Sequence, residues 1–244
     1  MRREWQRVRW LVAVTLLLCS CFTPAPASDE KSKIPAIRWD EERPGCTFSR
    51  TDDGKYYYGL WSDDVGVTVG VDSQEVEKVR RRHEPFFSVL IKVRYRGPGK
   101  LEVGTENISL QFLKHFQAVQ TSLDPDAFVQ KIQNDADEVD HETAREVEKH
   151  PDKKAAKETY ARAFQKDAAE LLEFVSKNSL RPATLSAGNP SVAGWVFFST
   201  SSKWISGWKK EEEFVLRLPL DKKIFEFPFK LPPRPGEVML RKRP

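Results

Sequence analysis

FFSVLIKVRYRGPG occupies residues 86–99, and its reading decides the fold. Phe87, Val89, Ile91, Val93 and Tyr95 recur at every second position, while Lys92, Arg94 and Arg96 fall on the opposite side. A period of two with one apolar and one charged face is that of a half-buried β-strand, and Gly97-Pro98-Gly99 closes it with a turn. The same period continues outward. Towards the N-terminus, Val65, Val67, Val69 and Val71 alternate with Gly66, Thr68 and Gly70. Tyr56-Tyr57-Tyr58-Gly59-Leu60-Trp61 forms an aromatic strand preceded by the turn signal Asp52-Asp53-Gly54. Towards the C-terminus, Ile108, Leu110 and Phe112 repeat the alternation. The charged stretch 73–84 reads equally as a short helix or an exposed loop. Short alternating strands separated by turns at this spacing predict an antiparallel sandwich or barrel.

The period changes at Asp124-Pro125, a helix start with a capping aspartate and proline in the first turn. Phe128, Ile132, Ala136, Val139, Thr143 and Val147 follow at helical spacing, then His150-Pro151 interrupts. A second run carries Tyr160, Phe164, Ala168, Leu171 and Val175. Each stripe is narrow, so the two helices are expected to lie against something else. After Leu180 the strands return in Val192–Phe198, in Phe214, Leu216 and Leu218, and in Phe225, Phe227 and Phe229. Pro228 inside the last run points to an edge strand or a bulge. Neither group of strands suffices for a sandwich alone. Together they predict a mainly β chain with an α insertion: an immunoglobulin-like antiparallel β-sandwich from residues 46–123 and 180–233, with a helical hairpin at 124–178 and a tail at 234–244.

The N-terminus reads as an export signal. Arg2, Arg3, Arg7 and Arg9 precede an apolar run from Trp10 to Leu18, shorter than the roughly 20 residues of a spanning helix. Two processing sites compete: Ala25-Pro26-Ala27, a small-x-small site, and Leu17-Leu18-Cys19-Ser20-Cys21, which has the form of a bacterial lipobox and would leave Cys21 lipidated. The signal is thus 1–21, or 1–27 without the lipid. Residues 22–45, rich in proline, serine and charge, read as a flexible tether. The formal net charge of +4 loses the four leader arginines on processing, leaving a nearly neutral chain without the basic footprint of a nucleic-acid binder. Cys46 is then an odd cysteine, expected to be buried.

FFSVLIKVRYRG followed by ENISLQFL, and GWVFF leading to EFVLRLPL, resemble the strands of exported bacterial immunoglobulin-like proteins of the DUF4352 type. The resemblance implies a β-sandwich on an exported or lipid-anchored protein, and it brings no catalytic residues with it.

The remaining motifs carry little chemistry. Asp135, Asp137, Glu138, Asp140, His141, Glu142 and Glu146 read as a solvated acidic helix face. His141-Glu142-Thr143-Ala144-Arg145 opens like a zinc-protease motif but lacks the second histidine. His83, His115, His141 and His150 are scattered, with no nucleophile setting near them. Aromatic residues are the better pointers, because an exposed ring offers contact area to a partner. Tyr57, Trp204 and Trp208 are the candidate anchors, the last two flanked by Lys203, Lys209 and Lys210. The expectation is a lipid-anchored, non-enzymatic binding module of the cell envelope. It would contact an envelope or extracellular protein and touch the membrane through a lipid on Cys21, with no cofactor, metal or nucleic acid. A structural component of an envelope complex and a secreted hydrolase are the alternatives.

Overall fold

The computed structural model describes residues 34–52, 54–72, 86–114, 118–200 and 212–231. The expected N-terminal signal, the expected lipidation site Cys21, the stretch 73–84, His83, His115, Trp204, Trp208 and the expected tail lie outside them.

The chain forms a β-sandwich with an inserted helical hairpin, as the alternation and its interruption predict. The strands are β1 (Ala36–Arg38), β2 (Cys46–Arg50), β3 (Lys55–Ser62), β4 (Val65–Asp72), β5 (Phe86–Tyr95), β6 (Leu101–Val103), β7 (Ser109–Phe112), β8 (Val119–Thr121), β9 (Ala183–Leu185), β10 (Ser191–Ser199), β11 (Glu212–Leu220) and β12 (Lys223–Leu231). The first sheet, called A, has the order β1-β12-β11-β7-β8 and the second, B, the order β10-β5-β4-β3-β2. The small pair β6-β9 adds Leu101, Val103 and Leu185 to the core. All pairings are antiparallel except β1 with β12.

Alternation sorts the side chains as the sequence reading requires. Val67, Val69, Val71, Phe87, Val89, Ile91 and Val93 of sheet B meet Phe214, Leu216, Leu218, Phe225, Phe227 and Phe229 of sheet A in one core. Each such side chain is worth about 1.5–3 kcal/mol relative to exposure. Pro228 sits where β12 has lost its outer neighbour, because β1 pairs only with Ile224–Glu226. Its missing N–H therefore costs no ladder bond. Two tight turns close the far end of the sandwich, and Asp63 and Asp221, at φ of 50° and 52°, accept the left-handed conformation these turns need. Lys223 joins the two turns through an ion pair to Asp63.

One boundary is corrected. The tether read at 22–45 extends too far, since within it Ala36–Arg38 forms β1 and Ile37 and Trp39 are buried in the core. Trp39 donates its indole N–H to the carbonyl of Thr47 at 3.1 Å and meets Tyr58 edge-on at 5.1 Å. Proline and charge on either side conceal two apolar residues that the sandwich recruits.

The hairpin consists of α1 (Pro125–Lys149) and α2 (Lys154–Asn178), joined through a short 3-10 turn at Pro151–Lys153. Asp124 caps α1, accepting from the amides of Asp126 at 3.1 Å and Ala127 at 2.8 Å. Phe128, Ile132, Ala136, Ala168, Leu171 and Val175 pack on Phe86 and Phe197, which point out of the outer face of sheet B. Both ends of the hairpin hold the free edge of β10: Leu123 donates to the Phe197 carbonyl at 2.7 Å and Leu180 to the Trp195 carbonyl at 2.8 Å.

The apolar stripe fades along the hairpin. Val139, Thr143 and Val147 are only half-buried, and Tyr160, expected on the packed face, is 51% exposed while Ala161 beside it is buried. Residues 137–163 thus form a two-helix arm beyond the sheet, roughly 15–20 Å long at 1.5 Å per residue. Lys157 and Glu146 link its helices at 3.8 Å.

Candidate functional site

The hairpin covers only the β10 side of the outer face of sheet B. On the rest, the register places side chains in rows. Ser49, Tyr57, Gly70 and Leu90 lie in one row, Thr47, Gly59, Thr68 and Lys92 in the next, and Trp61, Gly66 and Arg94 in a third. The glycines explain how the aromatic rings lie. A methyl group at Gly70 would fall 2.8 Å from the Tyr57 ring, and one at Gly66 would fall 2.5 Å from the Trp61 ring. Both rings therefore lean over bare backbone, in the space that a side chain at Gly70 or Gly66 would take. The Thr47 hydroxyl covers Gly59 between them. The Arg96 guanidinium lies over the Trp61 ring, 4.3 Å from its centroid, a cation–π contact that holds the charge in place.

The two outer faces differ in electrostatics. On sheet A, Arg217 donates to Glu226 at 2.8 Å and to Gln111 at 2.7 Å, and Arg38 pairs with Glu226 at 3.4 Å. Its charges are matched. On sheet B, Lys92, Arg94 and Arg96 stand together and form no ion pair among the described residues. A patch about 13 Å along β3 and about 10 Å across three strands thus combines two aromatic rings, several hydroxyls and three cations without an ion pair among the described residues.

A second feature is a cleft of about 370 Å³ between the sheets, at the end opposite the tight turns. Trp39, Phe48, Tyr56, Tyr58, Phe214 and Phe229 line it. Phe214 and Phe229 stack at 5.0 Å, as do Phe48 and Tyr56 at 6.0 Å. Charges at its rim are paired, Lys230 with Glu213 at 3.4 Å and Arg38 with Glu226. The space suits an apolar group and offers no convergent acid and base. Near its rim Glu212 is fully buried, its carboxylate accepting from the amides of Lys114 at 2.7 Å and Glu213 at 2.9 Å, which ties β7 to β11.

Of the three aromatic anchors read from the sequence, Tyr57 is described and half-buried on the outer face of sheet B, while Trp204 and Trp208 fall outside the described residues. The sequence reading did not single out Trp61, Lys92, Arg94 and Arg96 as companions of Tyr57. Their strand faces were readable, but their meeting depends on a register that only the folded sheet supplies. Cys46 is buried against the core. Among the described residues no group of three histidine, cysteine, aspartate or glutamate side chains is placed to hold a metal ion. On the acidic face of α1, Asp137 accepts from Gln133 at 2.9 Å and Asp135 pairs with Lys131. No helix among the described residues is long and apolar enough to cross a membrane. The sequence matches no protein-family model, and no curated protein or solved structure is significantly similar to it.

Proposed function

We propose that this chain is an exported, non-enzymatic binding module of a cell envelope, held at the membrane by a lipid on Cys21 and contacting a protein partner through its helical arm. The observation that carries the reading is the arm itself. Residues 137–163 extend two helices beyond the surface that buries their base, and this costs ordering entropy without adding to the sandwich core. A projection of that kind, bearing the exposed ring of Tyr160 and dense charge of both signs, is suited to reaching a second protein. The basic leader, the short apolar run and the lipobox-like Leu17–Cys21 support export and anchoring. The resemblance to exported immunoglobulin-like proteins points the same way.

The test is in-cell photo-cross-linking with a reactive amino acid at position 141 or 160 on the arm, and at position 217 on sheet A as control. One recurrent envelope protein is expected from the arm positions in the membrane fraction and none from the control. Cys21→Ala should release the protein from membranes. Absence of an arm-specific adduct would sink the contact reading. Retention of Cys21→Ala on membranes would sink the anchor. An assembly component is separated from a simple binder by replacing 137–163 with a short linker: loss of a larger complex, and not of one partner alone, identifies the assembly role.

A further inference from the structure

We propose that the open part of the outer face of sheet B is a binding platform for an acidic polysaccharide. The site is separate from the arm, so this inference stands or falls independently of the protein partner.

Two features of the platform select this ligand class. The Tyr57 ring leans over Gly70, with one ring edge 2.8 Å from where a Cβ would stand, on the outer face of the sheet. The π face of such a ring is electron-rich and attracts the C–H bonds on one side of a sugar ring. The hydroxyl of Ser49 in the same row and those of Thr47 and Thr68 in the next flank the ring, where they would exchange hydrogen bonds with sugar hydroxyls.

The charge completes the argument. Lys92, Arg94 and Arg96 form no ion pair among the described residues, and Arg96 is stacked on Trp61, which is itself seated on Gly66. A guanidinium fixed in this way loses little freedom when it pairs a carboxylate bidentately. The roughly 13 Å from Tyr57 to Trp61 along β3 gives room for a short run of sugars, with the stacking ring at one end and the cations at the other. A nucleic acid is disfavoured because three cations on a chain of formal net charge +4 give little counterion release.

Affinity electrophoresis of the full chain in gels containing polygalacturonate tests the inference. Fully methyl-esterified polygalacturonate and polyglutamate serve as comparisons. Retardation is expected with polygalacturonate, and the neutral ester should bind at least tenfold more weakly. The double variant Arg94→Gln/Arg96→Gln should lose tenfold or more in affinity. Tyr57→Leu, which keeps Gly70 covered but removes the aromatic ring, should lose a comparable factor with little change in melting temperature. Lys131→Gln/Lys166→Gln on the hairpin should bind like the parent. Absence of retardation overturns the proposal. So does equal retardation by polyglutamate, which would assign the face to acidic proteins, and so does insensitivity to Tyr57→Leu, which would reduce it to diffuse charge attraction.

Discussion

At the scale of single residues, close backbone approach is the strictest demand of this fold. Gly194 in β10 lies against the backbone of Leu180, and a methyl group there would overlap the Leu180 amide and Cα. Gly194→Ala should destabilise the protein by about 3 kcal/mol, read from chemical denaturation, because two main chains must separate. Gly188→Ala, with open space around it, should be neutral within about 0.5 kcal/mol. A second residue-scale prediction concerns acid. Asp126 in the first turn of α1 receives two hydrogen bonds of 2.8 Å from Arg181, just beyond α2. The Arg181 hydrogen bonds hold its carboxyl below the ordinary value of 3.8. This contribution to stability is therefore complete above 3.8 and is lost as pH falls through the lowered folded-state value. Asp126→Asn should melt slightly below the parent at neutral pH, and the gap should close well below pH 3.8. A gap that persists there would assign the effect to packing.

At the scale of elements, the base of the hairpin holds and the arm does not. Phe197→Ala removes the ring on which Phe128, Phe86 and Phe174 converge at 5.4, 5.8 and 6.3 Å. It should cost about 3–5 kcal/mol and raise hydrogen exchange in α1 and α2 more than in sheet A. Tyr160→Ala on the arm should cost less than about 1 kcal/mol. The same contrast bears on what the sequence could tell. Long alternating runs such as Phe87–Tyr95 and Phe225–Phe229 announced their strands, and Asp124-Pro125 announced its helix, because each signal is local. The three-residue strands β1, β6, β8 and β9 are too short to show a period, and their partners lie far along the chain: Ile37 pairs with Phe225, and Leu101 with Leu185. Tyr57 was singled out as a candidate surface ring, and it lies half-buried on the outer face of sheet B. Its seat on Gly70 was not legible, since residues 13 positions apart meet only through the β3–β4 register.

At the scale of the whole molecule, the two sheets divide the labour. The outer face of sheet A is a closed polar lattice around Arg217 and Glu226, while that of sheet B is shared between the seated hairpin and the cations without an ion pair among the described residues. The ends of the hairpin leave the sandwich side by side. Leu123 and Leu180 bond carbonyls two residues apart on β10, a separation of about 7 Å. A segment whose two stems are neighbours on one rigid strand imposes almost no constraint on what joins them. A foreign domain spliced into the tip, between Lys149 and Lys154, has only to bring its own termini together, and the sandwich should tolerate it as a display scaffold tolerates its cargo.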